Sequence, residues 1–321
     1  MLAVQFDEDG SFSKKLHLPV YEWSPKGIEP EGMVLAIHGL TLHGTSYDIA
    51  GKAFAAGGYY FVSSDMRGFG KCARSYEGSS SYCVDNDYKW KVNYDKSYED
   101  IVELAKLMKA KYPNLPMMVI GESLGCTLAL RIAAGHPELV SSVILSAPAV
   151  RLNPLMFVSS ASIKSGSYAL LISPKFHMSL KGFITNLVSN DPQISQGMLD
   201  DPLNLKELPL CDLMKTQTCV GKTVKYAHKI SSNIPVLYLQ GSHDRCVVPD
   251  AVIKLSKSTH SRDQTLKWLD QTGHLLLETK YLKAATVAAI NDWVEEHEPA
   301  HLVKLKSIEG EIRELGGVVS E

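Results

Sequence analysis

Between residues 33 and 145 short apolar runs alternate with stretches of helical periodicity, and no other feature restricts the fold as strongly. The runs 33–37, 59–63, 117–120 and 143–145 have the length and composition of buried strands. Between them a helix over 47–56 closes at Gly57-Gly58. A second is predicted where Ile101, Leu104, Ala105 and Met108 fall at i, i+3, i+4 and i+7 before Pro113 ends the pattern. A third covers 124–134. Strands and helices alternating in this way build an α/β fold, a mostly parallel sheet with helices on both faces. The N-terminal segments 2–6 and 16–23 read instead as a hairpin turning at Asp9-Gly10.

The rhythm stops near residue 151 and resumes with a strand at 236–239, a helix at 251–257, a strand at 265–269 and a helix at 281–294. The expected organisation is a core domain of residues 1–150 and 231–300, an inserted cap or lid of residues 151–230 without a clear strand, and a polar tail of residues 301–321. A chain of 321 residues is long enough to bury such a core. An insertion between strands of a parallel sheet lies over or beside their carboxyl ends, where ligand crevices form.

One motif carries the chemistry. Gly121-Glu122-Ser123-Leu124-Gly125 stands between a predicted strand and a predicted helix, the setting in which G-x-S-x-G presents a serine on a strained turn. The glycines at 121 and 125 let neighbouring backbone approach, and the helix N-terminus supplies free N–H groups where an oxyanion would form. A serine hydroxyl needs a base, and the base needs an orienting acid. Asp244 and His274 each follow a predicted strand in the required chain order. Ser123 is therefore expected as nucleophile, His274 as base and acid, and Asp244 as its orienter. The oxyanion hole is expected from the N–H groups of Leu124 and of Leu40, in the loop after strand 33–37.

Competing assignments are weaker. His243 directly precedes the acid and His260 lies in a polar stretch, so both read as solvated; Asp250 and Asp270 are rivals to Asp244 that lose on position. Cys126 and Cys246 read as packing, and His38 as holding the oxyanion loop. Glu122 is evenly balanced between tuning the site and pointing away from it. The apolar clusters 155–158 and 168–172 suit packing better than a lipid-facing lid, with peripheral contact to a lipid surface through the cap as the alternative. The long connection 71–94 is a candidate wall of the entrance.

Together these segments resemble the α/β-hydrolase superfamily, in particular its branch of monoacylglycerol lipases, lysophospholipase-like esterases and serine aminopeptidase-type hydrolases. The resemblance runs over residues 30–296 and rests on His38-Gly39, the 65–70 stretch Asp-Met-Arg-Gly-Phe-Gly, the 112–116 stretch Tyr-Pro-Asn-Leu-Pro leading into the serine motif, Asp244 with Val247-Val248-Pro249, and Gly273-His274. It implies hydrolysis of a lipid-like carboxylic ester, a monoacylglycerol or lysophospholipid, through an acyl-enzyme, with a mobile cap shaping the acyl pocket. Where monoacylglycerol lipases usually carry Gly-His-Ser-Met-Gly-Gly, this chain has Glu122, Leu124 and Cys126, and Thr41 replaces a frequent second glycine. The alternatives keep the same three side chains: an aminopeptidase, with Asp191, Asp200 and Asp201 to hold an amine although acids on an exposed insertion are usually solvated, a thioesterase, an acyltransferase, or a hydrolase-fold protein that only binds its ligand. A carboxylate-nucleophile chemistry is disfavoured by Ser123 itself.

The remaining expectations are exclusions. Thirty-three basic against 35 acidic residues, a net charge of −2, and no dense basic run speak against nucleic acid as a partner. No metal and no organic cofactor are expected. The six cysteines have no metal-binding spacing and are expected to be reduced thiols of a cytoplasmic protein, and the N-terminus is not expected to be a secretory signal.

Overall fold

The computed structural model describes residues 2–8, 10–73, 82–83, 92–150 and 177–297. Eight strands form one sheet in the order β1-β2-β4-β3-β5-β6-β9-β10. They are β1 (Val4–Asp7), β2 (Val20–Pro25), β3 (Gly32–Ile37), β4 (Tyr59–Ser64), β5 (Met117–Glu122), β6 (Ser142–Ser146), β9 (Val236–Gly241) and β10 (Gln264–Leu269). From β4 to β10 every pairing is parallel, whereas β2 runs antiparallel to both β1 and β4.

The central strands are apolar on both faces because both faces are covered. Along β3, Met33, Leu35 and Ile37 join one buried cluster, while Val34 and Ala36 join the other. On β5, Val119 faces the first cluster and Met118 and Ile120 the second. Helices α2 (Asp48–Ala56), α3 (Tyr94–Lys111) and α4 (Gly125–Gly135) connect successive strands as the periodicity predicts. The chain goes outward from β3 to β4 and then crosses back to β5 on the other side of β3. In open α/β sheets the ligand crevice forms at such a reversal, outside the carboxyl ends of the two strands.

Three expectations are corrected. The N-terminal strands do pair antiparallel, Val4 with Pro25 through Asp7 with Glu22, but no tight turn joins them. Helix α1 (Ser11–Leu16) intervenes, burying Phe12 and ending at His17 in the left-handed region (φ 52°). The inserted segment also contains strands, the antiparallel pair β7 (His177–Ser179) and β8 (Glu207–Pro209), each of three residues and so too short to show a period. Finally, the cysteines are not all thiols: Cys72 and Cys83 form a disulfide across a Cα separation of 5.9 Å, while Cys126, Cys211, Cys219 and Cys246 are free. Their spacing of 11 residues gave no sign of it; beside the bridge the amide of Cys83 donates to the carbonyl of His17 at 2.8 Å.

Between β6 and β9 the described chain also forms helices Pro192–Asp200, Leu210–Val220 and Thr223–Ala227. The last is fastened to the core where Thr223 Oγ1 meets Thr127 Oγ1 of α4 at 2.7 Å and Ala149 O at 3.2 Å. The clusters 155–158 and 168–172, most of the 71–94 connection and the 301–321 tail lie outside the described residues. Among the described residues, no helix is long and apolar enough to cross a membrane.

Candidate active site

Ser123 stands between β5 and α4 with φ at 54°, a left-handed value that a serine adopts only under constraint. The constraint is visible on both sides. The amide of Ser123 donates to Ser146 O at 2.8 Å, and the Ser123 carbonyl accepts from Cys126 N and Ala149 N at 3.2 and 3.1 Å. A side chain at 121 or 125 would prevent the turn: a Cβ on Gly121 would lie 2.5 Å from the Gly125 carbonyl carbon, and one on Gly125 would lie 2.0 Å from Ile37 O. The two glycines thus allow the turn to close against its own helix and against β3.

Asp244 and His274 reach the same point from the loops after β9 and β10. His274 Nε2 lies 2.8 Å from Ser123 Oγ, and His274 Nδ1 lies 2.9 Å from Asp244 Oδ2. Asp244 is held in turn. Its Oδ1 accepts the amides of Cys246 and Val247 at 2.7 and 3.0 Å, and its Oδ2 also accepts Gln240 Nε2 at 2.9 Å. Burial alone would raise the Asp244 carboxyl, but His274 and these donors hold it below the ordinary carboxylate range. Burial alone would lower His274, yet the Asp244 charge and hydrogen bond, with a smaller effect from Glu122, leave it above the ordinary histidine value. An ionised Asp244 on Nδ1 fixes the tautomer with Nδ1 protonated, so Nε2 presents a lone pair to the serine hydroxyl.

Leu124 follows Ser123 directly, and Leu40 follows Gly39, where an added Cβ would lie 3.4 Å from Ser123 Cβ. Among the described residues the amide of neither is engaged by a backbone or side-chain acceptor. The loop that carries Leu40 is supported by His38, whose Nε2 accepts Met66 N at 3.0 Å and whose protonated Nδ1 donates to Gly39 O at 2.9 Å. Complete burial drives the His38 imidazole down to about 3, so it stays neutral and structural. Asp65 supports the same loop by accepting Gly44 N and Lys71 N at 2.8 and 2.7 Å, and Arg67 pairs with Asp100 at 2.6 Å. The Asp65 to Gly70 motif is scaffold for the loop that carries Leu40.

The rival residues lie apart from this chain of contacts. His243 and His260 are exposed. Asp270 is exposed too, bonded to Ser242 Oγ at 3.2 Å and Gln271 N at 2.9 Å. Asp191, Asp200 and Asp201 do not converge: Asp191 caps a helix through Gln193 N, Asp200 meets Gln196 Nε2, and Asp201 pairs with His43 at 3.1 Å. The free thiol of Cys126 points into the core toward Gly121 O.

Glu122 turns inward. It is fully buried, with Oε2 accepting Ser146 Oγ at 2.6 Å and Leu277 N at 2.8 Å. Two supporting residues are not singled out by the sequence motifs. Gln240 is a polar residue inside an apolar strand, and Glu278 closes the run His-Leu-Leu-Leu-Glu; a charged residue ending an apolar stretch beside a candidate histidine is the one hint available. Asp244, Cys246 and His274 are the one grouping of possible metal ligands among the described residues, with donor atoms within 4.8 Å. Their fit to a metal is poor. Both imidazole nitrogens and both Asp244 oxygens are already bonded, and burial followed by the Asp244 charge pushes the Cys246 thiol well up.

The family profile described as serine aminopeptidase, S33, matches residues 28–280. Monoglyceride lipase of Mus musculus is 24% identical over 274 residues, covering 85% of this chain and 84% of its own. The human monoglyceride lipase is likewise 24% identical over 276 residues, covering 85% of each chain. Among solved structures, a soluble variant of monoglyceride lipase from Saccharomyces cerevisiae in complex with a substrate analog superposes with a TM-score of 0.68 at 20% identity, covering 92% of this chain and 95% of that one. The monoacylglycerol lipase of Paleococcus ferrophilus gives 0.62 at 21% identity, covering 88% and 99%.

Proposed function

Because the chain belongs to the serine aminopeptidase S33 family within the α/β-hydrolase fold, we propose that it hydrolyses carboxylic esters of lipid-like substrates, a monoacylglycerol or a lysophospholipid, through an acyl-enzyme. The observation that carries this reading is the unbroken run of hydrogen bonds from Asp244 through His274 to Ser123, 2.9 and 2.8 Å in length. The names of the relatives, monoglyceride lipases at 24% identity, favour an ester bond and a glyceride-like alcohol.

In the first half-reaction Ser123 Oγ attacks the acyl carbonyl carbon as His274 Nε2 takes the hydroxyl proton. The imidazolium that forms is stabilised by Asp244, which stays ionised. Charge developing on the carbonyl oxygen is met by the N–H groups of Leu40 and Leu124, which act as preorganised donors. Collapse of this intermediate expels the alcohol, which leaves with the proton from His274. Water then enters, gives a proton to His274 and attacks the acyl-serine, and the second collapse frees the acid and restores the hydroxyl. Residues 1–150 and 231–300 form the core in this reading, and 151–230 the cap over the acyl group.

The bond type is tested by offering p-nitrophenyl esters from acetate to long-chain acids beside 1-monoacylglycerols and aminoacyl anilides. Ester turnover rising with chain length, and no anilide turnover, is the expected result. Anilide turnover with inert esters would replace this reading by the aminopeptidase one. A fluorophosphonate probe should label the wild type and leave Ser123→Ala unlabelled.

A further inference from the structure

Two carboxyl groups lie under the candidate site, and none of the steps above uses them. Glu122 and Glu278 are both buried, and among the described residues neither is paired with a lysine or arginine. Each joins segments far apart in sequence. Glu122, one residue before the candidate nucleophile, accepts the amides of Leu276 and Leu277 at 3.2 and 2.8 Å, just beyond His274. Glu278, at the end of that same turn, reaches across to the oxyanion loop, where both its oxygens lie 3.0 Å from Gly39 N. We propose that Glu122 and Glu278 are positioning residues that lock the serine turn, the histidine loop and the Gly39-Leu40 loop into one rigid unit; this rests on the serine-hydrolase reading above.

The geometry explains why the lock matters. Gly39 immediately precedes Leu40, and a Cβ placed on Gly39 would lie 3.4 Å from Ser123 Cβ and 3.0 Å from Glu278 Oε2. The loop therefore lies close to the nucleophile and is bonded to Glu278 at the same point. If Gly39 loses its acceptor, the Leu40 donor shifts relative to the reacting oxygen, and a displacement of about 1 Å costs roughly a hundredfold in rate.

The bonds also assign the charge. Two adjacent carboxylates without a cation do not both ionise in a dry interior. Glu122 has the richer set of donors, a Ser146 hydroxyl and two close amides, and so holds the charge. Glu278 has one amide and holds the proton. In agreement, burial and then the Glu122 charge push Glu278 well above the ordinary carboxylate range. The titratable groups that face the pair are Tyr47, Cys126 and His274.

The test is the rate at which a fluorophosphonate labels Ser123 in the full-length wild type, Glu278→Ala, Glu278→Asp and Glu278→Gln, with kcat and KM on a chromogenic ester beside it. Ala and Asp, which remove or retract the acceptor, should label about a hundredfold more slowly, with kcat reduced and KM little changed. Gln, neutral and of equal length, should recover most of the lost rate. If Ala does not fold, the contrast of Gln with Asp decides. A wild type that labels while Ala or Asp labels equally fast overturns the inference and leaves the hydrolase reading intact; so does Gln as slow as Asp. A wild type that does not label overturns both.

Discussion

Replacing Asp244 by Asn should almost abolish turnover, and the structure dictates how. Asp244 Oδ1 accepts two main-chain amides, from Cys246 and Val247, at 2.7 and 3.0 Å. An asparagine would keep its carbonyl oxygen there, because turning its NH2 toward two N–H groups would leave three buried donors unpaired. The NH2 then takes the place of Oδ2, facing His274 Nδ1, which lies 2.9 Å away in the wild type. Nδ1 must now accept, so the imidazole proton moves to Nε2, where it points at Ser123 Oγ and the base is lost. The expected fall in kcat is about 10⁴-fold, the scale of the equivalent change in a serine protease, or about 5 kcal/mol of transition-state stabilisation. Steady-state hydrolysis of a chromogenic ester measures it, with thermal unfolding to show that the variant folds. Asp270→Asn is the control: that side chain is exposed and bonded to Ser242 and Gln271, so its activity should match wild type. A folded Asp244→Asn with less than about tenfold loss, or an equal loss in Asp270→Asn, refutes the reasoning.

Two further outcomes follow. Ester hydrolysis needs neutral His274, and because the Asp244 charge and hydrogen bond overcome burial to raise this imidazole, kcat/KM should fall on acidification with a midpoint above the ordinary value of about 6.5. A pH profile whose acid limb lies at or below that value contradicts the assignment. In the disulfide, closing the 11-residue separation between Cys72 and Cys83 should contribute about 3 kcal/mol, so Cys72→Ser should unfold at lower urea; of the six cysteines only four should react with a thiol reagent in denatured, unreduced protein, and six reacting thiols would contradict the bridge.

The parallel core was legible because its strands are buried on both faces and therefore read as unbroken apolar runs, as in Met33 to Ile37. Ser123 and Asp244 could be named from the sequence because each follows such a run, and His274 because it follows the mixed strand Gln264–Leu269; the structure brings the three within hydrogen-bond reach of one another. What escaped depends on contacts between distant segments. Glu278 bonds to Gly39, 239 residues away, and the direction of the Glu122 side chain is set by amides more than 150 residues downstream. The first turn was misread for a different reason: Asp9-Gly10 is a common hairpin signal, but Phe12 had a core to enter, and burying it in a short helix outweighed closing the turn.

The inserted segment touches the site through main-chain atoms. Leu205 N donates to Thr41 O at 2.9 Å, and His274 N donates to Val188 O at 3.2 Å. It therefore behaves as a buttress to both loops. Exchanging it for the corresponding stretch of a relative, the obvious route to a new acyl preference, would remove a brace from each of the two loops that must stay in register. A chimera that kept residues 188–205 would retain both braces, which makes that span the part to preserve in any redesign.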